Sequence, residues 1–262
     1  MKLGFIGTGN MASAIMGGII SKGVIPADEI IGADLFAPGR ERVKEKFGIH
    51  VTADNNEVVE KADVVLLSVK PQFYADVISG IKDKIRPDQI VITIAPGKTL
   101  SWLAEQFGKD VKIVRCMPNT PAMVGEGMTA ACPNEHMTEE EIEYVKTLLS
   151  SFSLVEIVPE KLMDTVTAVS GSSPAYVFMF IEAMADAAVL DGMPRAQAYK
   201  FAAQAVLGSA KMVLDTGKHP GELKDMVCSP AGTTIDAVRV LEECGFRGTI
   251  IDAVQTCAEK SR

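Results

Sequence analysis

Lys2-Leu3-Gly4-Phe5-Ile6-Gly7-Thr8-Gly9-Asn10-Met11-Ala12 reads as a buried strand that runs into a G-x-G-x-x-A turn and opens a helix. Glycines in such a turn let backbone N–H groups approach phosphate oxygens where the helix dipole is positive, so the stretch predicts a cradle for a dinucleotide pyrophosphate. A glycine turn alone is weak evidence. This one follows the first predicted strand and is itself followed by a second strand ending at Ala33-Asp34, where an acid meets the adenosine ribose. Asp34 would accept hydrogen bonds from the ribose hydroxyls of NADH and repel a 2′-phosphate, whereas Arg40 would pair with that phosphate. Both NADH and NADPH therefore stay open.

Outward from this turn, short apolar runs alternate with amphipathic segments. Strands are predicted over residues 3–6, 30–33, 64–69, 90–94, 112–117 and 154–158, and helices over 11–21, 40–47, 73–84, 100–107 and 139–151. Most of the strands are nearly continuous in Val, Ile and Leu, as strands covered on both faces are. Thr138 before Glu139-Glu140-Glu141 is a helix N-cap with acids in the first turn. The pattern predicts an α/β fold whose N-terminal domain, residues 1–160, is a Rossmann-like doubly wound sheet. Over residues 161–262 the strand signal disappears, and an all-α domain is expected. It is broken at Gly171-Ser172-Ser173-Pro174, Gly192-Met193-Pro194, 217–221, Ser229-Pro230 and Gly245. The helix from Ala175 is apolar on nearly every face, which means deep burial, against a second subunit or at the centre of a monomer.

Composition narrows the function. The 262 residues carry a formal net charge of −8, which gives no general attraction for nucleic acid. The chain enters a strand at once, without a basic leader segment, so a cytoplasmic protein is expected. Glu182, Asp186 and Asp191 interrupt the longest apolar stretch, so no membrane partner is expected. The five cysteines are odd in number, widely spaced and never in C-x-x-C, which fits a reducing compartment and no metal site. His50, His136 and His219 form no cluster in the sequence. A hydroxy-acid dehydrogenase usually keeps a His or Lys to move a proton on and off an alcohol oxygen. Reduction of an imine demands less, because its nitrogen is protonated before hydride arrives.

Further loops follow strand ends, where ligands of an open parallel sheet collect. They are Val69-Lys70-Pro71-Gln72, Ala95-Pro96-Gly97-Lys98 and Met117-Pro118-Asn119-Thr120-Pro121. In the helical half, Ser172 and Ser173 precede Pro174 as serine caps do. Ser229-Pro230-Ala231-Gly232-Thr233-Thr234 brings three hydroxyls and a glycine to a helix start, a site that would bind a carboxylate without an arginine.

These segments carry a resemblance. Phe5-Ile6-Gly7-Thr8-Gly9-Asn10-Met11, Val69-Lys70-Pro71-Gln72, Arg115-Cys116-Met117-Pro118-Asn119-Thr120-Pro121, Ser170-Gly171-Ser172-Ser173-Pro174-Ala175-Tyr176 and residues 224–235 are similar to those of the pyrroline-5-carboxylate reductases, over essentially the whole chain. The resemblance implies NAD(P)H-dependent reduction of 1-pyrroline-5-carboxylate to L-proline, the last step of proline biosynthesis. It also implies a C-terminal domain that interlocks two subunits, with the homodimers assembling into a decamer. Carried over by position, Gly7, Thr8, Gly9, Asn10, Met11, Ala12, Asp34, Asn55, Ser68, Val69, Lys70, Pro71, Ile94, Ala95 and Pro96 would line the cofactor. Glu160, Ser172, Ser173, Gly232, Thr233 and Thr234 would hold the cyclic imino acid, with Thr234 nearest the imine nitrogen as the catalytic residue, and Met117 and Pro118 would wall the pocket. Two residues depart from the family pattern: Ala231, where glycine is usual, and Pro96, where alanine is common. The methyl of Ala231 would strain the turn if that backbone needs a positive φ.

Overall fold

A computed structural model describes residues 2–261. The chain divides into two compact units, one reaching to Gly171 and including the C-terminal residues from Ala258, the other Ser172–Cys257.

The first unit is built on one eight-stranded sheet. In chain order its elements are β1 (Leu3–Ile6), α1 (Asn10–Ser21), β2 (Ile30–Ala33), α2 (Ala37–Phe47), β3 (His50–Thr52), α3 (Asn55–Lys61), β4 (Val64–Leu67), α4 (Tyr74–Ile81), β5 (Ile90–Thr93), α5 (Leu100–Phe107), β6 (Lys112–Met117), β7 (Gly127–Pro133), α6 (Glu139–Leu149), β8 (Ser153–Ile157) and α7 (Met163–Val166). The strand order is β3-β2-β1-β4-β5-β6-β7-β8, parallel throughout except where β7 runs antiparallel to β6. Order reverses between β1 and β4, so the crevice beyond their carboxyl ends is the topological switch point where ligands of this architecture bind.

The period of two along each strand sorts the core into two layers. Leu3, Phe5, Val64, Leu66, Ile90 and Ile92 pack with Ile15, Met16 and Ile19 of α1 on one face. Ile6, Val65, Leu67 and Val91 pack with Val58, Ile78 and Leu103 on the other. Each such side chain contributes about 1.5–3 kcal/mol relative to exposure. The expected cap of α6 is present as a reciprocal pair: Glu141 N–H donates to Thr138 Oγ1 and Thr138 N–H donates to Glu141 Oε2.

Three elements were not visible in the sequence: β3, α3 and β7. The strand β7, Gly-Met-Thr-Ala-Ala-Cys-Pro, has little of the β-branched and aromatic content that marks a strand. It forms because β6 and β8 flank it and supply partners for its backbone. The predicted break at Gly171-Ser172 is present: a single π-helical turn, Thr167–Gly171, ends there, and Ser172 is the N-cap of the next helix, which begins at Ser173.

The second unit is helical: α8 (Ser173–Leu190), α9 (Arg195–Thr216), α10 (Pro220–Val227), α11 (Thr233–Glu243) and α12 (Phe246–Ser261), of which the last extends beyond the unit. Its only buried apolar side chains are Ala185, Ala198, Ala202 and Leu223, while Phe178, Met179, Phe201, Leu214 and Ile251 are all more than half exposed. Helices with so little apolar side chain hidden within one chain need a further surface to cover them.

Candidate active site

The glycine turn is fixed from three directions. Gly7 has φ +97°, and a Cβ there would lie 2.8 Å from the carbonyl carbon and oxygen of Ser68, at the exit of β4. Ser68 Oγ donates to Gly7 O at 2.7 Å. Thr8, fully buried, donates both its backbone N–H and its Oγ1–H to Asp34 Oδ2, at 2.8 and 3.0 Å.

Gly9, by contrast, has nothing within 4 Å of where a Cβ would stand. As N-cap of α1 it offers no side chain to bond the helix start, so the first N–H groups of α1 remain available to an anion. A turn packed tightly behind and open in front fits a pyrophosphate.

Asp34 does more than the sequence implied. Its carboxylate accepts the two bonds from Thr8 and a third from Phe36 N–H, 2.9 Å from Oδ1, so it orders the turn whatever it does for a ribose. Arg40 Nη1 donates to the carbonyls of Asp34 and Leu35, at 2.5 and 3.2 Å, and Arg42 Nη2 donates to that of Thr8 at 2.9 Å. Two guanidiniums thus stand beside the acid. The role of Arg42 had no signal in the sequence, because a charged residue on a polar helix is the commonplace case.

The loops after β4 and β5 are tied to one another. The Tyr74 hydroxyl donates to Leu67 O at 2.6 Å and accepts from Ile94 N–H at 3.3 Å. Burial pushes this phenol well above its ordinary pKa, so it stays a neutral donor. Ser68, Val69 and Pro71 are half-buried and Lys70 is exposed; Ile94 is half-buried, Ala95 buried and Pro96 exposed. Asn55 opens α3, whose cap is Asp54, accepting from Asn56 N–H at 2.9 Å.

Glu160 is engaged within its own unit. Its Oε1 accepts from Arg115 Nη1 at 2.8 Å and from Leu100 N–H at 2.7 Å. The sequence did carry one sign of this pair: an arginine inside the apolar strand β6 requires a buried acceptor. Met117 borders the same unit's last turn, its Cε 2.9 Å from where a Cβ on Gly171 would stand.

In the helical unit, Ser172 precedes α8 but makes no capping bond; its Oγ accepts from Cys257 Sγ at 3.2 Å. Capping therefore does not explain it, contrary to one expectation. Ala231 has φ +56° and is the one non-glycine residue with positive φ among the described residues. It turns the chain so that Gly232 N–H bonds Ser229 O at 3.1 Å and Gly232 becomes the N-cap of α11, again without a side-chain cap. Thr233 and Thr234 follow in the first turn, with exposed and half-buried side chains whose hydroxyls have no hydrogen-bond partner among the described residues. Open N–H groups and two hydroxyls at a positive helix end suit a carboxylated, proton-accepting ligand.

A left-handed alanine costs about 1–2 kcal/mol relative to the right-handed well. Ala231→Gly is accordingly expected to stabilise the protein by about 1 kcal/mol, net of the greater freedom of glycine in the unfolded chain. Reversible denaturant unfolding of the two proteins measures the difference, and equal or lower stability for the glycine variant would refute it.

The comparisons with known proteins give the family of the chain. The family model described as pyrroline-5-carboxylate reductase dimerisation matches residues 160–262, and that described as NADP oxidoreductase, coenzyme F420-dependent, matches residues 2–97. The pyrroline-5-carboxylate reductase of Escherichia coli (strain K12) is 53% identical over 263 residues, 99% of this chain and 97% of that protein. The chain belongs to the pyrroline-5-carboxylate reductase family. Among solved structures, the Coxiella burnetii pyrroline-5-carboxylate reductase superposes with a TM-score of 0.93 at 35% identity, covering 99% of this chain and 97% of that one. The Plasmodium falciparum pyrroline carboxylate reductase, solved with NADP bound, gives 0.90 at 33% identity, covering 100% and 97%.

Membership explains the bare helical surface. The run Glu160–Leu190, 31 residues, is long and apolar enough to cross a membrane by length and composition. It carries Glu182 and Asp186, the latter paired with Arg195, and it lies inside the segment that the reductase family uses for dimerisation. The chain is a homo-oligomer, and the residues matched to the family's dimerisation domain include these apolar helices.

Proposed function

We infer that the protein reduces 1-pyrroline-5-carboxylate to L-proline with NADH or NADPH. One imine, one reduced nicotinamide and one proton give one proline and one oxidised nicotinamide. The observation that carries this reading is the pair of uncapped helix starts, at Gly9 for the cofactor and at Gly232 for the substrate, in a chain related over its whole length to enzymes named for this reaction.

Bound reduced nicotinamide supplies the hydride that adds to the imine carbon. The chain's own groups do the rest. The N–H groups of Gly9, Asn10, Met11 and Ala12 hold the pyrophosphate, backed by Gly7 and Thr8. Asp34 keeps the turn in shape at the ribose end, and Asn55, Ser68 to Pro71 and Ile94 to Pro96 line the cofactor. The start of α11 holds the substrate carboxylate through its N–H groups and Thr233, with Ser172 and Ser173 beside it. The Thr234 hydroxyl hydrogen-bonds the ring nitrogen, whose proton must be retained as the carbon is reduced.

The enzyme works in the cytoplasm as a homodimer, and dimers assemble into a decamer. The apolar side chains exposed on α8, α9 and α12 support association, and light scattering on the purified protein measures its order.

Loss of reduced-nicotinamide absorbance on adding racemic pyrroline-5-carboxylate, with NADH and NADPH in parallel and proline quantified, tests the reaction. Stoichiometric proline is expected. Cofactor binding without oxidation of either nucleotide would rule the reading out. The ratio of catalytic efficiencies reports whether the charge of Asp34 or that of Arg40 and Arg42 dominates at the ribose.

A further inference from the structure

We propose that Glu160, held by Arg115, is a positioning residue that sets the β5–α5 loop and through it the affinity for the reduced cofactor. This rests on the reading that Ile94 to Pro96 line the cofactor.

Arg115 lies in the middle of the sheet at 5% exposure, between Thr93 of β5 and Cys132 of β7 in register. A guanidinium so buried requires an ionised acceptor, and Glu160, just beyond β8, supplies it at 2.8 Å. The same oxygen, Oε1, accepts from Leu100 N–H at 2.7 Å. Leu100 is the first residue of α5, and its N–H is one of those a helix start leaves without an internal partner. Residues 94–99 therefore run between two fixed points. They leave β5 beside Arg115, where Ile94 N–H is bonded to the Tyr74 hydroxyl, and they end at an amide held by Glu160.

The bond is not needed to make the helix. Thr99 already caps α5, its Oγ1 accepting from Trp102 N–H at 3.1 Å. What Glu160 adds is a connection from a buried strand to the end of the loop, made by a residue sixty positions from the amide that it holds. A third group registers the same charges: burial first, then the negative charge of Glu160, raises the Cys132 thiol above its ordinary pKa, with Arg115 opposing.

Glu160→Ala is expected to weaken binding of the reduced cofactor, measured by its fluorescence without substrate, by about tenfold, since a loop that must be ordered on binding costs affinity of this order. The loss should fall on KM for the cofactor and be recovered at saturation. Glu160→Gln, which keeps an acceptor for the Leu100 amide, should restore part of it, and Arg115→Met should resemble the alanine variant. If Glu160→Ala does not fold, the cofactor titration of Glu160→Gln gives the same reading, with binding weaker than in the parent protein expected, because the ion pair to Arg115 is lost, and unchanged affinity overturning the proposal. Pro96→Trp, at the exposed loop tip, is the control. Weaker cofactor binding in Pro96→Trp but not in Glu160→Ala would overturn the positioning role alone, and no effect in either would overturn the reading of the loop itself. Unchanged cofactor affinity with a raised KM for the imine would place Glu160 on the substrate instead.

Discussion

Thr234→Ala is expected to lower kcat/KM for pyrroline-5-carboxylate roughly 10²- to 10³-fold, the about 2.7–4 kcal/mol lost with one hydrogen bond to developing charge. The hydroxyl sits in the first turn of an eleven-residue helix whose cap, Gly232, contributes no side chain. Removing it leaves the helix and its N–H groups in place. Loss should therefore appear in kcat more than in KM, because the carboxylate keeps its anchor at the helix start. Cofactor affinity should stay as it was, because the glycine turn at Gly7 to Ala12 is untouched. Steady-state kinetics with both cofactors, beside a fluorescence titration of the reduced nucleotide, reads all of these together. Wild-type kcat/KM in the variant would remove Thr234 from the chemistry.

The second large effect separates two glycines that the motif treats alike. Gly7→Ala forces an alanine to φ +97° and drives its methyl to 2.8 Å from the backbone of Ser68, which no side-chain rotation relieves. Strain and overpacking together are worth roughly 2–5 kcal/mol. At about 2–4 °C per kcal/mol for a protein of this size, Tm should fall by roughly 5–15 °C, with cofactor affinity lost alongside it. Gly9→Ala meets nothing within 4 Å and keeps an ordinary φ of −67°, so its Tm should match the parent protein. Its methyl would instead stand where the pyrophosphate approaches the helix start, and cofactor binding should weaken at least about tenfold. Differential scanning calorimetry and nucleotide titration of both variants distinguish packing from ligand approach. A destabilised Gly9→Ala or a stable Gly7→Ala would contradict the assignment of the two roles.

Much of the site is legible because it is local. The glycine turn, the acid after β2 and the hydroxyl turn before α11 each lie within a dozen residues, so type and spacing carry their chemistry. The strain at Ala231 was foreseeable for the same reason, since a departure from glycine in a tight turn has one conformational consequence. The Arg115–Glu160 pair and the bonds from Thr8 to Asp34 join residues 45 and 26 positions apart. No periodicity reports such distances.

The sequence by itself determined the alternation of strands and helices, the glycine turn that opens α1, and the family to which the chain belongs, because all of these reside in short-range patterns of apolar, glycine and hydroxyl residues. Only the tertiary structure decided that an alanine-rich segment is the strand β7, that Asp34 is occupied in ordering the turn, and that Glu160 serves a buried arginine and a distant helix start. In each of these cases the deciding interaction is a backbone or charged group finding its partner across the sheet, and burial, which the sequence does not encode locally, makes that partner obligatory.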